Sequence, residues 1–395
     1  MRRRLDDDVD RRVADRIRKQ AFRRHTVNRA FDQEVFRDIF GECAAHQVGA
    51  AAEIKKPLRH LVNDVVAKRF RFRIANKRDC GNRHRMPDEL KKSTILIAGP
   101  TASGKSAAAL QLAERIGGEI VNADALQVYK DLNILSARPS SSEAAATTHH
   151  LYGHVDGAIR YSAGEWSRAA ARAIVEIHKR EKTAIVVGGT GLYFRALETG
   201  LSEAPAIPAA VREAAAARFE GIGAEAFRRE VLAFDPAMAR LAPGDRQRHV
   251  RAWEVFKSCG APLSEIQRRP GVPLIGRPEA RLVIEPPREA LFAAIDARFD
   301  RMIASGALTE AQALLARGLN PGLPVMKAVG AAELLRHLNG ELSFADALDL
   351  AKRNTRRFAK RQLTWFRNQA SSWKRALSPV EAVDLAFIAH APLQG

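Results

Sequence analysis

Thr94-Ile95-Leu96-Ile97-Ala98-Gly99-Pro100-Thr101-Ala102-Ser103-Gly104-Lys105-Ser106 decides how the chain is read. Thr94 to Ala98 is a short β-prone run that stops on a glycine, and Ser106 to Ile116 continues with helical character. Between them, Gly99 to Ser106 matches G-x-x-x-x-G-K-[ST] in the strand–turn–helix setting the motif requires. Its glycines let backbone N–H groups turn inward, the helix start adds positive potential, and Lys105 reaches toward phosphate oxygens. Every residue of the run (Gly99, Pro100, Thr101, Ala102, Ser103, Gly104, Lys105, Ser106) is therefore a candidate phosphate contact, and the Ser106 hydroxyl is a candidate Mg²⁺ ligand. The loop alone leaves its ligand open, because any diphosphate or triphosphate would fit.

Outward from this loop the pattern stays α/β. Glu119-Ile120-Val121 is a second strand candidate, and Ala184 to Val187 is an apolar strand stopped by Gly188-Gly189. Ser162 and Glu165 have capping-box spacing and open a helix expected to run to about Lys182. Alternation of this kind predicts a parallel sheet covered by helices on both faces, like that of the P-loop NTPases. Pro205 and Pro208 interrupt it, some 70 mostly helical residues follow, and Arg281 to Glu285 returns to a strand. The expected organisation is an α/β core in two parts (93–204 and 281–318), a helical insertion (205–280) and a helical C-terminal region (319–395).

Composition narrows the partners. The net charge of +19 favours a polyanion, nucleic acid before membrane surface or small phosphates. No apolar run approaches the roughly 20 residues of a membrane helix, and no secretory leader pattern opens the chain. Three cysteines without CxxC spacing fit a reducing cytoplasm. Residues 1–92 carry 25 Lys+Arg and 14 Asp+Glu but no continuing amphipathic pattern. They read as a disordered extension or as upstream sequence absent from the native product, with Met86 placed as a start, ahead of a nucleic-acid-binding arm.

Further motifs come in order: Asn122-Ala123-Asp124-Ala125-Leu126-Gln127-Val128-Tyr129-Lys130, then Ser136-Ala137-Arg138-Pro139, then Gly188-Gly189-Thr190-Gly191-Leu192-Tyr193. Gln247-Arg248-His249-Val250-Arg251 lies in the insertion, and Lys360-Arg361-Gln362-Leu363-Thr364-Trp365-Phe366-Arg367 near the end. This set resembles the tRNA dimethylallyltransferase (isopentenyltransferase) family over roughly residues 93–373. The resemblance implies transfer of a dimethylallyl group from dimethylallyl diphosphate to N6 of the adenosine beside the anticodon, in tRNAs reading codons that begin with U. It implies Asp124 as the general base, with Lys105 and Thr190 also catalytic, and Mg²⁺ as cofactor. For the tRNA it implies contacts from Asp124, Ala125, Leu126, Gln127, Thr190, Arg212, the run from Gln247 to Arg251, Lys327, and the run from Lys360 to Arg367. The chain has Asp124-Ala125 where Asp-Ser is common in the family, and no Tyr-Arg after Gly330. A monomer is expected.

The C-terminal helix supplies a separate indication. At about 100° per residue, Arg353, Arg356, Arg357, Lys360, Arg361 and Arg367 share one broad face, and Lys352 to Arg367 contains no acid. Clustered cations of this kind suit a phosphate backbone. The alternatives are a P-loop kinase or NTPase of a small metabolite, prenylation of free adenine nucleotide, and a non-catalytic RNA-binding protein. The first leaves the basic helix idle, the second the helical insertion, and the third Asp124.

Overall fold

A computed structural model of the chain describes residues 93–202 and 206–390. The expectations for residues 1–92 lie outside the described residues. In order, the elements are β1 (Thr94–Ala98), α1 (Lys105–Ile116), β2 (Glu119–Asn122), α2 (Ser141–Ala146), β3 (His149–His150), α3 (Ala163–Lys179), β4 (Ala184–Gly188) and α4 (Gly191–Glu198). The insertion supplies α5 (Ala209–Phe234), α6 (Arg246–Cys259) and α7 (Leu263–Arg268). Then come β5 (Ala280–Ile284), α8 (Arg288–Ala304), α9 (Ala307–Ala316), α10 (Ala331–Leu338), α11 (Phe344–Gln369), β6 (Lys374–Ala376) and α12 (Pro379–His390).

The six strands form one sheet in the order β3-β2-β4-β1-β5-β6, and every pairing is parallel. Parallel strands buried on both faces read as continuous apolar runs, which is why Thr94–Ala98 and Ala184–Gly188 are buried along their whole length. The period of two divides their side chains between two cores. Ile95, Ile97, Ile185, Val187 and Leu282 face α1 and α12, whereas Leu96, Val121, Val186 and Val283 face the layer containing α3, α4 and α11.

Helix starts follow their caps. The Ser162 hydroxyl accepts from Glu165 N (3.1 Å) and Glu165 Oε2 accepts from Ser162 N (2.8 Å), fixing α3 where the spacing predicts it. That helix ends at Lys179, three residues earlier than expected, because Glu181 turns to φ 57°. The α1 helix has no side-chain cap; it starts on Gly104 at φ 81°. Its first N–H groups thus stay available to an anion.

The insertion has its own core, in which Phe227, Val231, Met238, Trp253 and Val255 pack together. The C-terminal region differs from the all-helical expectation. Lys374–Ala376 adds a sixth strand beside β5, and α12 then packs on the sheet face that α1 covers. Among the described residues no helix is long and apolar enough to cross a membrane.

Candidate active site

The carboxyl ends of β1, β2 and β4 deliver the phosphate loop, Asp124 and Thr190 to one edge of the sheet, where open α/β sheets hold ligands. The loop is shaped by its backbone. Ala102 (φ 62°) and Gly104 (φ 81°) both take left-handed conformations, and Ser103 N donates to Pro100 O (3.3 Å). A Cβ on Gly104 would collide with Pro379. Ser103 Oγ is buried with no protein partner, as suits a hydroxyl facing phosphate oxygens.

Two cations flank the loop, Lys105 buried and Arg298 half-buried. Lys105, only 8% exposed, donates from Nζ to Pro100 O (3.2 Å). Burial lowers its pKa to about 8; Asp124 opposes that shift and the Arg298 charge adds to it. From α8, Arg298 Nη2 donates to Thr101 Oγ1 (2.8 Å). Burial pulls the Arg298 pKa down, with Asp124 opposing, but a guanidinium stays charged. Two cations held away from water beside the uncapped start of α1 suit a multivalent anion.

Asp124 is held at its backbone. Asn122, 0% exposed, accepts from Asp124 N (2.8 Å) and donates from Nδ2 to Asp124 O (3.1 Å) and Leu151 O (3.0 Å). Asp124 Oδ1 accepts from Leu126 N (3.0 Å). Thr190 ties the neighbouring strand end to this turn: its N–H donates to Ala123 O (3.1 Å) and its hydroxyl accepts from Ala125 N (3.0 Å). Gln127 Nε2 donates to Ser136 O (3.0 Å) and Ala137 O (2.8 Å), which closes the loop after β2. Oxygen donors suit Mg²⁺, and Ser106 is exposed in the first turn of α1.

The cationic helix α11 sorts its residues differently from the sequence run. A helix cannot turn eight consecutive residues to one surface. Lys360, Arg361, Thr364 and Arg367 are exposed, whereas Phe366 is buried, Leu363 and Trp365 are partly buried, and Gln362 is buried against the phosphate loop. Gln362 and Phe366 are therefore corrected from tRNA contacts to interior residues. Three cations of this helix are paired: Lys352 with Asp300 (2.6 Å), Arg356 with Asp296 (2.6 Å), and Arg367 with Glu285. Arg353, Arg357, Lys360 and Arg361 are in no ion pair among the described residues, which leaves them the freest charges of the face.

In the insertion, Gln247 and Arg248 are exposed, Val250 and Arg251 partly so, and His249 is buried, which corrects the last from a tRNA contact to a core residue. Arg248 pairs with Asp245 (3.2 Å) and Arg251 with Glu254 (3.5 Å). Arg212 donates to Ile207 O (3.3 Å), and Lys327 is exposed on a 3₁₀ turn.

Arg298 stands in none of the motifs, and Asn122 stands in one without a role of its own. The one available sign for Arg298 is an arginine beside the buried stripe Leu291, Ile295, Phe299 and Met302. A cation there needs an anion nearby.

The family described as IPP transferase matches residues 127–369. A tRNA dimethylallyltransferase of Phenylobacterium zucineum is 54% identical over 281 residues, covering 71% of this chain and 91% of the relative. One of Methylobacterium nodulans is 50% identical, covering 73% and 96%. Among solved structures, the tRNA isopentenylpyrophosphate transferase of Bacillus halodurans is 30% identical with a TM-score of 0.52, over 76% of this chain and 94% of that one. A eukaryotic dimethylallyltransferase acting on tRNA is 26% identical with a TM-score of 0.63, over 77% and 81%. With that coverage and identity, and a phosphate loop and a carboxylate at the same end of one parallel sheet, this chain belongs to the tRNA dimethylallyltransferase family.

Proposed function

We propose that the chain transfers a dimethylallyl group from dimethylallyl diphosphate to N6 of the adenosine adjacent to the anticodon, in tRNAs reading codons that begin with U. The observation that carries this is the pair of cations, buried Lys105 and half-buried Arg298, at a phosphate loop that also faces Asp124. The N6 lone pair attacks C1 of the dimethylallyl group, the C1–O bond breaks, and diphosphate leaves with the bonding pair. Lys105, Arg298 and the loop amides stabilise the negative charge that develops on the leaving group. Asp124 accepts the N6 proton as the N–C bond forms. Thr190 holds the Asp124 turn in place through Ala125 N. The residues fit a Mg²⁺ held by Ser106, and the ion would supply further neutralisation of diphosphate charge.

On the tRNA side, Arg353, Arg357, Lys360 and Arg361 offer unpaired charge to the phosphate backbone, with Arg212, Gln247, Arg248 and Lys327 as further contacts. The target base leaves its stack to reach Asp124. A monomer working in the cytoplasm completes this reading. The test is incubation with labelled dimethylallyl diphosphate, unmodified tRNA and Mg²⁺. Label in the target adenosine of the tRNA supports the reading, and label only in added free adenine nucleotide overturns the RNA acceptor.

A further inference from the structure

Gln362 occupies a position that the transfer chemistry does not use. It lies on α11, one residue from the exposed Arg361, yet points inward and is 6% exposed. Its Oε1 accepts from Thr101 N (2.9 Å) in the phosphate loop, and its Nε2 donates to Gly189 O (2.9 Å) at the end of β4. One side-chain amide thus joins the two loops that flank the reacting groups. Only an amide offers an acceptor and a donor at that reach; a carboxylate lacks the donor and an ammonium lacks the acceptor. A Cβ on Gly189 would collide with this amide, so the fit is close on that side.

Thr101 is gripped a second time, by Arg298 from α8. The two gripping helices are themselves braced by Lys352–Asp300 and Arg356–Asp296. Trp365, one turn beyond Arg361, packs against Gly191, just after Thr190. The helix that presents cations outward therefore presents Gln362 and Trp365 inward, onto the loops carrying Thr101 and Thr190. An ion bound along the outer face of α11 and an ion bound in the phosphate loop act on one connected body.

We infer that Gln362 is a positioning residue that couples tRNA binding on α11 to diphosphate binding in the phosphate loop. This rests on the proposed function. Coupling between two sites is reciprocal and typically amounts to about 5- to 150-fold in affinity. Ordering of α11 by tRNA fixes the Thr101 amide and narrows the loop toward its binding shape, so the diphosphate meets a preorganised cradle.

The test uses inorganic diphosphate with Mg²⁺ as the probe and an unmodified tRNA transcript, on the full chain. The diphosphate Kd is measured with and without saturating tRNA, for wild type and for Q362M. In wild type, tRNA tightens diphosphate binding by about fivefold or more. In Q362M that ratio falls to within twofold of one, while the tRNA Kd measured without diphosphate moves by less than twofold. A purely structural amide would weaken diphosphate equally in both conditions, and an unchanged ratio in Q362M overturns the inference. Should Q362M fail to fold, wild type alone decides: tRNA alone must slow hydrogen exchange at the Thr101 amide, and unchanged exchange overturns it. A wild-type ratio of one with normal transfer sinks the coupling only. A wild-type chain that neither binds tRNA nor transfers label sinks the functional reading beneath it.

Discussion

Lys105 is protonated at neutral pH although its burial disfavours the charge, and this sets two opposite pH trends. Its pKa in the folded chain is about 8 against 10.5 for a free lysine. Between those values the unfolded chain binds more protons, so stability gains from this group as pH rises through the window. Diphosphate binding moves the other way, because the bound anion favours the ammonium. Above about pH 8 each diphosphate must bring a proton with it, and affinity should fall by about tenfold per pH unit. Calorimetry in buffers of different ionisation enthalpy reads the proton uptake directly. K105R keeps its charge throughout and should bind with no such slope; a wild-type affinity flat from pH 7.5 to 9.5 would show that Lys105 does not meet the diphosphate. Asp124→Asn is the companion change. It preserves the hydrogen bond from Leu126 N but cannot take a proton. Single-turnover transfer should drop by roughly 10²–10⁴-fold with tRNA and diphosphate binding retained. A rate within threefold of wild type would return Asp124 to a turn residue. Lys105 and Asp124 are legible because each sits in a motif beside a strand end. Arg298 is not: its partner, Thr101, lies 197 residues away, and a lone polar residue in a helix has no local pattern announcing it. Gln362 stands in a legible motif, but its bond to Thr101, 261 residues away, has no local sign.

The basic helix shows what periodicity can and cannot resolve within one element. Helical spacing places Arg353, Arg356, Arg357, Lys360, Arg361 and Arg367 on a shared side, and all six are indeed at least partly accessible. It says nothing of the neighbours. Acids on α8 and just past β5, Asp296 and Glu285, take Arg356 and Arg367 out of the free set. The two groups should therefore respond differently to replacement. Changing Arg353, Arg357 and Arg361 together to Gln should flatten the salt dependence of tRNA binding, lowering the slope by up to about 3 if each neutralises a phosphate. R356Q should leave that slope nearly unchanged and instead cost stability, by about 0.2–1 kcal/mol for a partly exposed pair. Filter binding across a salt series and a thermal melt separate the outcomes. An equal slope change from R356Q would mean that its pair with Asp296 opens for tRNA.

Across the whole molecule, the sheet is most legible where it is most buried. β1, β4 and β5 sit at its centre, so their apolar runs appear within one residue of their observed limits. β6 is a three-residue edge strand, Lys-Arg-Ala, whose sequence carries no alternation. Its place is set by β5, with Glu285 N donating to Ala376 O (2.8 Å) and Arg375 meeting the Glu285 carboxylate. The segment that follows it closes the molecule on the active site. Ala382, Val383 and Ala386 of α12 complete the core face shared with α1, and Pro379 sits against Gly104, which holds the phosphate loop in its left-handed turn. A chain ending at Trp373 should consequently lose both stability and ligand. Burial of Ala376, Ala382, Val383 and Ala386 is worth about 5 kcal/mol at about 0.8 kcal/mol per methylene-sized group, a large part of the stability of a typical domain. The expected result is a chain that melts many degrees lower or collects in the insoluble fraction. P379G isolates the second effect, because it removes the ring from Gly104 while leaving β6 and the α12 core residues in place. Its melting temperature should stay within a few degrees of wild type, and its diphosphate affinity should fall several-fold as the loop gains alternative conformations. A truncated chain that melts and binds diphosphate like wild type would show that the phosphate loop keeps its shape without the C-terminal segment.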